Sequence, residues 1–143
     1  INGNPSAFRF PRANLDGSLN FSFSGLKTSV LRMVRELEKS RTKLPVEDLA
    51  ASFQQAVVDV LYQKTIQAAK QHKVKNIIVA GGVSANQLLR DTFLSQKNFN
   101  VFIPPFKYCT DNAAMIAAAG YFRFINGLVD PLDIDVLPNW LLS

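Results

Sequence analysis

Apolar positions recur at two spacings along the chain, and the change between them marks its organisation. From residue 26 onward, Leu26, Val30, Met33, Val34 and Leu37 fall three and four residues apart, the period of one helix face. A polar connector, KSRTKLP, follows, and Pro45 stands where a second helix opens, an early position that tolerates proline. Val46, Leu49, Phe53, Val57, Val60 and Leu61 form the buried stripe predicted for that long helix, which fades near His72. The pattern then shortens. Residues 76–80 read as strand, 84–95 as helix, 99–103 as strand and 111–124 as helix. Strand, helix, strand, helix with short links predicts right-handed crossovers in a parallel sheet.

The ends of the chain are less periodic. The first twenty residues are rich in Asn, Gly, Pro and Ser and read as loop, with room for a short strand at residues 8–10. In NFSFSG, Phe21 and Phe23 alternate with small polar residues, which predicts a half-buried strand ending at Gly25. The tail, residues 128–143, carries prolines and no clear period; it reads as irregular, with Trp140, Leu141 and Leu142 packing back. No internal repeat or low-complexity segment is visible.

Composition adds bounds. The chain has 143 residues, one domain's worth, and 48% hydrophobic content supports a real core. Sixteen Lys and Arg against eleven Asp and Glu give a net charge of +5, which suits an anionic partner, yet the basic residues are scattered and the support is weak. The single cysteine, Cys109, allows no internal disulfide and fits a reducing compartment. The longest apolar run is too short to span a bilayer, and no signal peptide is visible. A start at Ile1 rather than Met predicts a fragment of something longer.

Two strand-to-helix junctions could carry chemistry, because ligands bind at the carboxyl ends of parallel strands. The first is AGGVSAN. Gly81 and Gly82 would let a phosphate or ribose lie against the backbone, or would simply make a tight turn. Ser84 and Gln87 have capping-box spacing, and Asn86 could meet a ligand or face solvent. There is no GxGxxG or P-loop pattern. The second junction puts Asp111 at a helix start, as a cap or as a metal ligand, and by topology it should neighbour the first. Two helix N-termini aimed at one crevice would suit a phosphate. The small residues of NAAMIAAAGYF predict close packing of that last helix.

Three other features carry less. At FSFSGLKT, Ser24 could cap a helix or, with Gly25, touch a ligand; Lys27 reads as solvated. His72, the only histidine, reads as an exposed residue, and Cys109 as a small semi-buried one with no base beside it. No Ser-His-Asp set, zinc-protease motif or Cys-x-x-Cys pair is present, so the chain holds no self-sufficient hydrolase site.

Together, FRFPR, FSFSGLKT, AGGVSAN and CTDNAAMIAAAG, in order and over nearly the whole chain, resemble the C-terminal half of the TsaD family. These are tRNA threonylcarbamoyladenosine transferases, formerly called glycoproteases or O-sialoglycoprotein endopeptidases. The resemblance implies an α/β lobe of the actin-like, Hsp70-like ATPase (ribonuclease H-like) fold, a partly parallel sheet packed with helices, with residues 1–143 as the C-terminal lobe and the first lobe absent. It implies transfer of threonylcarbamoyl from threonylcarbamoyl-adenylate to the adenosine beside the anticodon of ANN-reading tRNAs.

By the same resemblance, Gly81, Gly82 and Asn86, with Ser84 more weakly, would hold the adenylate. Asp111 would be one ligand of a divalent metal, iron or zinc, acting as a Lewis acid. The other ligands, an upstream His-x-x-x-His pair, are missing here, so the fragment should bind metal poorly and be inactive alone. Ser24 and Gly25 would lie near the ligand. Implied partners are tRNA and the accessory proteins of the threonylcarbamoylation complex, in the cytoplasm or an organellar matrix. Loss of upstream strands would leave an exposed sheet edge or apolar face, prone to oligomerisation or swapping. Two other readings stay open: a lobe of an actin-fold sugar kinase or ATPase, and a non-catalytic interaction module whose glycine turn is only a turn. The protease reading finds no support, since the residues supply neither a nucleophile dyad nor a complete metal site.

Overall fold

The computed structural model describes residues 2–13, 17–40 and 43–135. They form four α-helices and one small sheet: α1 (Ser24–Lys39), α2 (Val46–Gln71), β1 (Asn76–Ile78), α3 (Gln87–Ser95), β2 (Asn100–Phe102) and α4 (Ala113–Ile125). Two short 3₁₀ turns, Gly82–Ala85 and Phe106–Tyr108, follow the two strands. The chain divides into two compact units, Ile1–Cys109 and Thr110–Ser143, each described by itself. No helix among the described residues is long and apolar enough to cross a membrane.

The first unit is organised around α2, whose 26 residues make it the longest element. Pro45 immediately precedes it, and Glu47 and Asp48 in its first turn complement the positive helix end. One part of α2 packs Leu49, Ala56 and Val57 with Phe10, Leu26 and the apolar face of α1. Another part packs Val58, Leu61, Tyr62 and Ala69 with Ile77, Leu89 and Phe93. The single stripe expected for this helix is therefore only partly buried: Leu49 and Val60 are inside, whereas Val46 is 64% and Phe53 42% exposed. Small residues take the buried positions instead. Ala56 is fully enclosed, and a larger side chain there would push α1 away.

The N-terminal segment is loop, as its composition predicts, but it is tied down. Ser52 on α2 accepts from the Phe8 amide at 3.1 Å and donates to the Asn4 carbonyl at 3.2 Å. Arg12 pairs with Asp59 at 2.7 Å. No strand forms at residues 8–10; Phe10 is buried by packing and Phe8 stacks on it. Nor does the strand expected at residues 21–24 form. A strand exists through the bonds of a neighbouring strand, and none lies beside it among the described residues. Phe23, at ψ 1°, instead precedes the first turn of α1, and the stacked Phe21 and Phe23 rings stand exposed.

The sheet bears out the parallel reading. β1 and β2 run parallel in the register Asn76↔Asn100, Ile77↔Val101 and Ile78↔Phe102, joined through α3. Alternation along the strands gives the sheet two unlike faces. Ile77, Val79, Val101 and Ile103 join the core with α2 and α3. On the other face Ile78 is 76% and its neighbour Phe102 57% exposed. The apolar face expected to be uncovered is thus present on the sheet rather than at residues 21–24 alone.

In the second unit, Gly127 ends α4 at φ +71°, and Arg123 pairs with Asp130 at 2.7 Å. Taken by itself, the unit buries none of α4. Among the described residues of the unit, the close packing expected from its small residues finds no partner. Trp140, Leu141 and Leu142 lie outside the described residues.

Candidate functional site

The loop that leaves β1 is built from two glycines with different reasons to be there. Gly81 has φ +87° and ψ 173°, a region open almost only to glycine, so the turn itself requires it. Gly82 has no such backbone demand, and a Cβ built on it would meet no atom within 4 Å. The fold explains the first glycine and leaves the second free for a close approach from outside.

The rest of the loop is held by its own polar groups. The Ser84 hydroxyl donates to the Gly81 carbonyl at 2.7 Å, and Ser84 is 1% exposed. Asn86, not Ser84, caps the following helix: its Oδ1 accepts from the Leu89 amide at 3.0 Å. The capping box is absent, because residues 82–85 spend a 3₁₀ turn before α3 begins at Gln87. Gln87 turns forward instead and donates to Asp91 at 2.7 Å. Gly81, Gly82, Ser84 and Asn86 are thus gathered in one turn at the carboxyl end of a parallel strand. The cavity beneath it, about 210 Å³ and lined by Thr65, Ala80, Val83 and Leu89, is smaller than a typical ligand pocket of roughly 300 Å³ or more. A nucleotide would have to lie over the turn, where Gly82 is open, and not inside it.

The loop after β2 carries Cys109, which is 3% exposed with its Sγ 3.6 Å from the Pro105 carbonyl. It is a buried packing residue, as its sequence setting predicts. Asp111 is exposed and belongs to the second unit, two residues before α4. It does not cap that helix. Asn112 does, accepting from the Met115 amide at 3.0 Å, because the helix starts later than the sequence predicts. Among the described residues no group of three His, Cys, Asp or Glu could hold a metal. His72 is exposed at the end of α2.

Ser24 and Gly25 border a different cleft, of about 700 Å³, with Arg9, Thr28, Ser29 and Arg32 on its walls. Ser24 is not a cap: it is already the first helical residue, and its Oγ lies 3.3 Å from the Ser22 Oγ. Lys27 is exposed, as expected. One residue that contacts the first loop escaped the sequence reading. Arg90, one turn beyond Asn86 on the same face of α3, reaches back to the Ser84 carbonyl at 3.0 Å. Its spacing of four from the capping asparagine was the available signal.

Comparison with known proteins adds an independent line. The family model for TsaD, tRNA N6-adenosine threonylcarbamoyltransferase, matches residues 1–118. A protein of Fervidobacterium nodosum with that same name is 49% identical over 144 residues, covering 97% of this chain and 43% of the relative. One from Dehalococcoides mccartyi is 56% identical over 128 residues, covering 90% and 38%, and one from Clostridium botulinum is 50% identical over 145, covering 99% and 43%. The chain spans about two fifths of the length of these relatives.

Proposed function

Because this chain belongs to the TsaD family of tRNA N6-adenosine threonylcarbamoyltransferases, we propose that it is the part of such an enzyme that forms one wall of an adenylate site. The observation that carries the reading is Gly82. It is a glycine that neither backbone conformation nor packing requires, placed beside Gly81 in the loop where parallel-sheet proteins bind ligands. In this reading the adenylate lies against the Gly81–Gly82 backbone, and the Asn86 side-chain amide, whose oxygen is held by the cap, offers its N–H groups to the ligand. The whole enzyme would pass threonylcarbamoyl from the adenylate to an adenosine of tRNA, with the architecture of an actin-like ATPase lobe and with accessory proteins as partners.

A divalent metal is the family's expected cofactor, and the described residues do not fit it by themselves. Asp111 supplies one exposed carboxylate, and any further ligands would come from outside the described residues. The interaction-module reading draws on one observation: the Ser84 hydroxyl and the Asn86 side-chain oxygen are each already bonded within the chain.

The test joins this chain to the upstream portion of the Fervidobacterium nodosum relative and measures threonylcarbamoyl transfer with Asn86→Ala and Asp111→Ala. A loss of tenfold or more in each, on the order expected for misplaced reacting groups, supports the reading. Full activity in both would sink it. Titration of the joined protein with AMP separates the module reading, which expects no binding.

A further inference from the structure

Arg90 touches both loops at the carboxyl end of the sheet, and the adenylate reading does not use it. Its Nη1 donates to the Ser84 carbonyl at 3.0 Å. The same nitrogen lies 3.8 Å from the Cys109 Sγ. The guanidinium carbon sits over the Phe106 ring, 4.4 Å from its centroid. Ser84 belongs to the turn after β1; Phe106 and Cys109 belong to the loop after β2. All four residues lie in the first unit.

The contacts are chemically selective. Arg90 forms no salt bridge among the described residues; the neighbouring Asp91 is bonded to Gln87. What orients the guanidinium is a carbonyl, a ring face and a sulfur, which a flat cation with several directed N–H groups can meet at once. Lysine offers neither the plane nor the fork. The chain of contacts continues inward. Ser84 is buried and its hydroxyl is bonded to Gly81, while Cys109 is buried against the Pro104 and Pro105 carbonyls. Both ends of the bridge are therefore anchored. On its own helix Arg90 stands one turn from the capping Asn86, and its amide bonds to the Asn86 carbonyl at 3.1 Å.

We infer that Arg90 is a positioning residue, which locks the Gly81–Asn86 turn to the loop 104–109 and so sets the shape of the adenylate wall. The inference deepens the adenylate reading and rests on it for its catalytic meaning. The coupling of the two loops is a property of the fold and can be tested separately. Movement of Phe106 or Cys109 passes through the guanidinium to the Ser84 carbonyl, and through Ser84 to Gly81.

The joined enzyme described above serves for the test, with Arg90→Met, Arg90→Lys and Phe106→Leu. Two readouts are taken. The first is hydrogen exchange at the amides of Ser84, Asn86 and Cys109, which bond within the two loops to Gly81, Val83 and Phe106. Arg90→Met should quicken exchange at all three by about tenfold, with the amides of α1 unchanged. The second is steady-state kinetics. The KM for threonylcarbamoyl-adenylate should rise on the order of tenfold to a hundredfold in Arg90→Met, with the KM for tRNA unmoved. Arg90→Lys should recover only part of that loss, and Phe106→Leu should reproduce part of it. A merely structural arginine would lower the melting temperature and leave both KM values alone. Unchanged exchange at either loop, or full recovery by lysine, overturns the inference. Faster exchange at both loops with an unmoved KM leaves a structural arginine and overturns the positioning role; the adenylate reading falls separately, if the joined enzyme does not bind AMP.

Discussion

Adjacent glycines can have unrelated causes, and substitution by alanine separates them. At Gly81 a side chain would be forced into φ +87°, ψ 173°, so Gly81→Ala should cost about 1–3 kcal/mol of folding stability. At Gly82 the backbone accepts a Cβ and there is space for it, so Gly82→Ala should be neutral or stabilise by up to about 1 kcal/mol through the unfolded chain. The same Gly82→Ala should weaken AMP binding if a ligand lies against that backbone. Denaturant melts of both variants beside an AMP isotherm check the pair; equal destabilisation of the two would remove the reason to single out Gly82. The sequence showed that both glycines sit at the junction. It could not show which one the turn consumes, because that depends on a dihedral angle. The same angle displaced the helix start. With Gly81 in its special conformation, the chain makes a 3₁₀ turn first and the cap passes from Ser84 to Asn86. A shift of two residues in the cap thus changed the role of each polar residue in the motif.

Among the elements, the helices were readable because their burial follows a local period. Leu26, Val30, Met33, Val34 and Leu37 do meet one core cluster. The strand expected from Phe21 and Phe23 was not, since strand pairing is set by residues far along the chain. For α2 a single stripe was too simple, because the helix serves two cores and uses small residues for its closest contacts. Ser52 illustrates the consequence. It is the polar link between α2 and the N-terminal segment, and a hydrophobic pattern ignores it. Ser52→Ala would strip the Phe8 amide and the Asn4 carbonyl of their partner, at about 1–3 kcal/mol. A lowered denaturation midpoint with early loss of the segment's protection against proteolysis is the expected outcome; an unchanged midpoint would mean water replaces the hydroxyl.

At the scale of the molecule, the sheet has two strands among the described residues, each an edge there, and one face shows Ile78 and Phe102 side by side. Parallel sheets normally have both faces covered. The chain alone should therefore associate with itself as concentration rises, and Ile78→Thr with Phe102→Thr should shift sedimentation toward the monomer. Association undiminished in that double variant would place the contact elsewhere. Fold class was legible from the alternation of strand and helix; the uncovered face was foreseen only through the family resemblance.

One helix lies in both halves of the first unit's core. Val57 belongs to the cluster with α1 and Val58 to the cluster with the sheet, so consecutive residues on α2 face different partners. A helix shared in this way couples the two clusters, so a cavity opened beside α1, as in Leu26→Ala, should lower the melting point of the sheet as well.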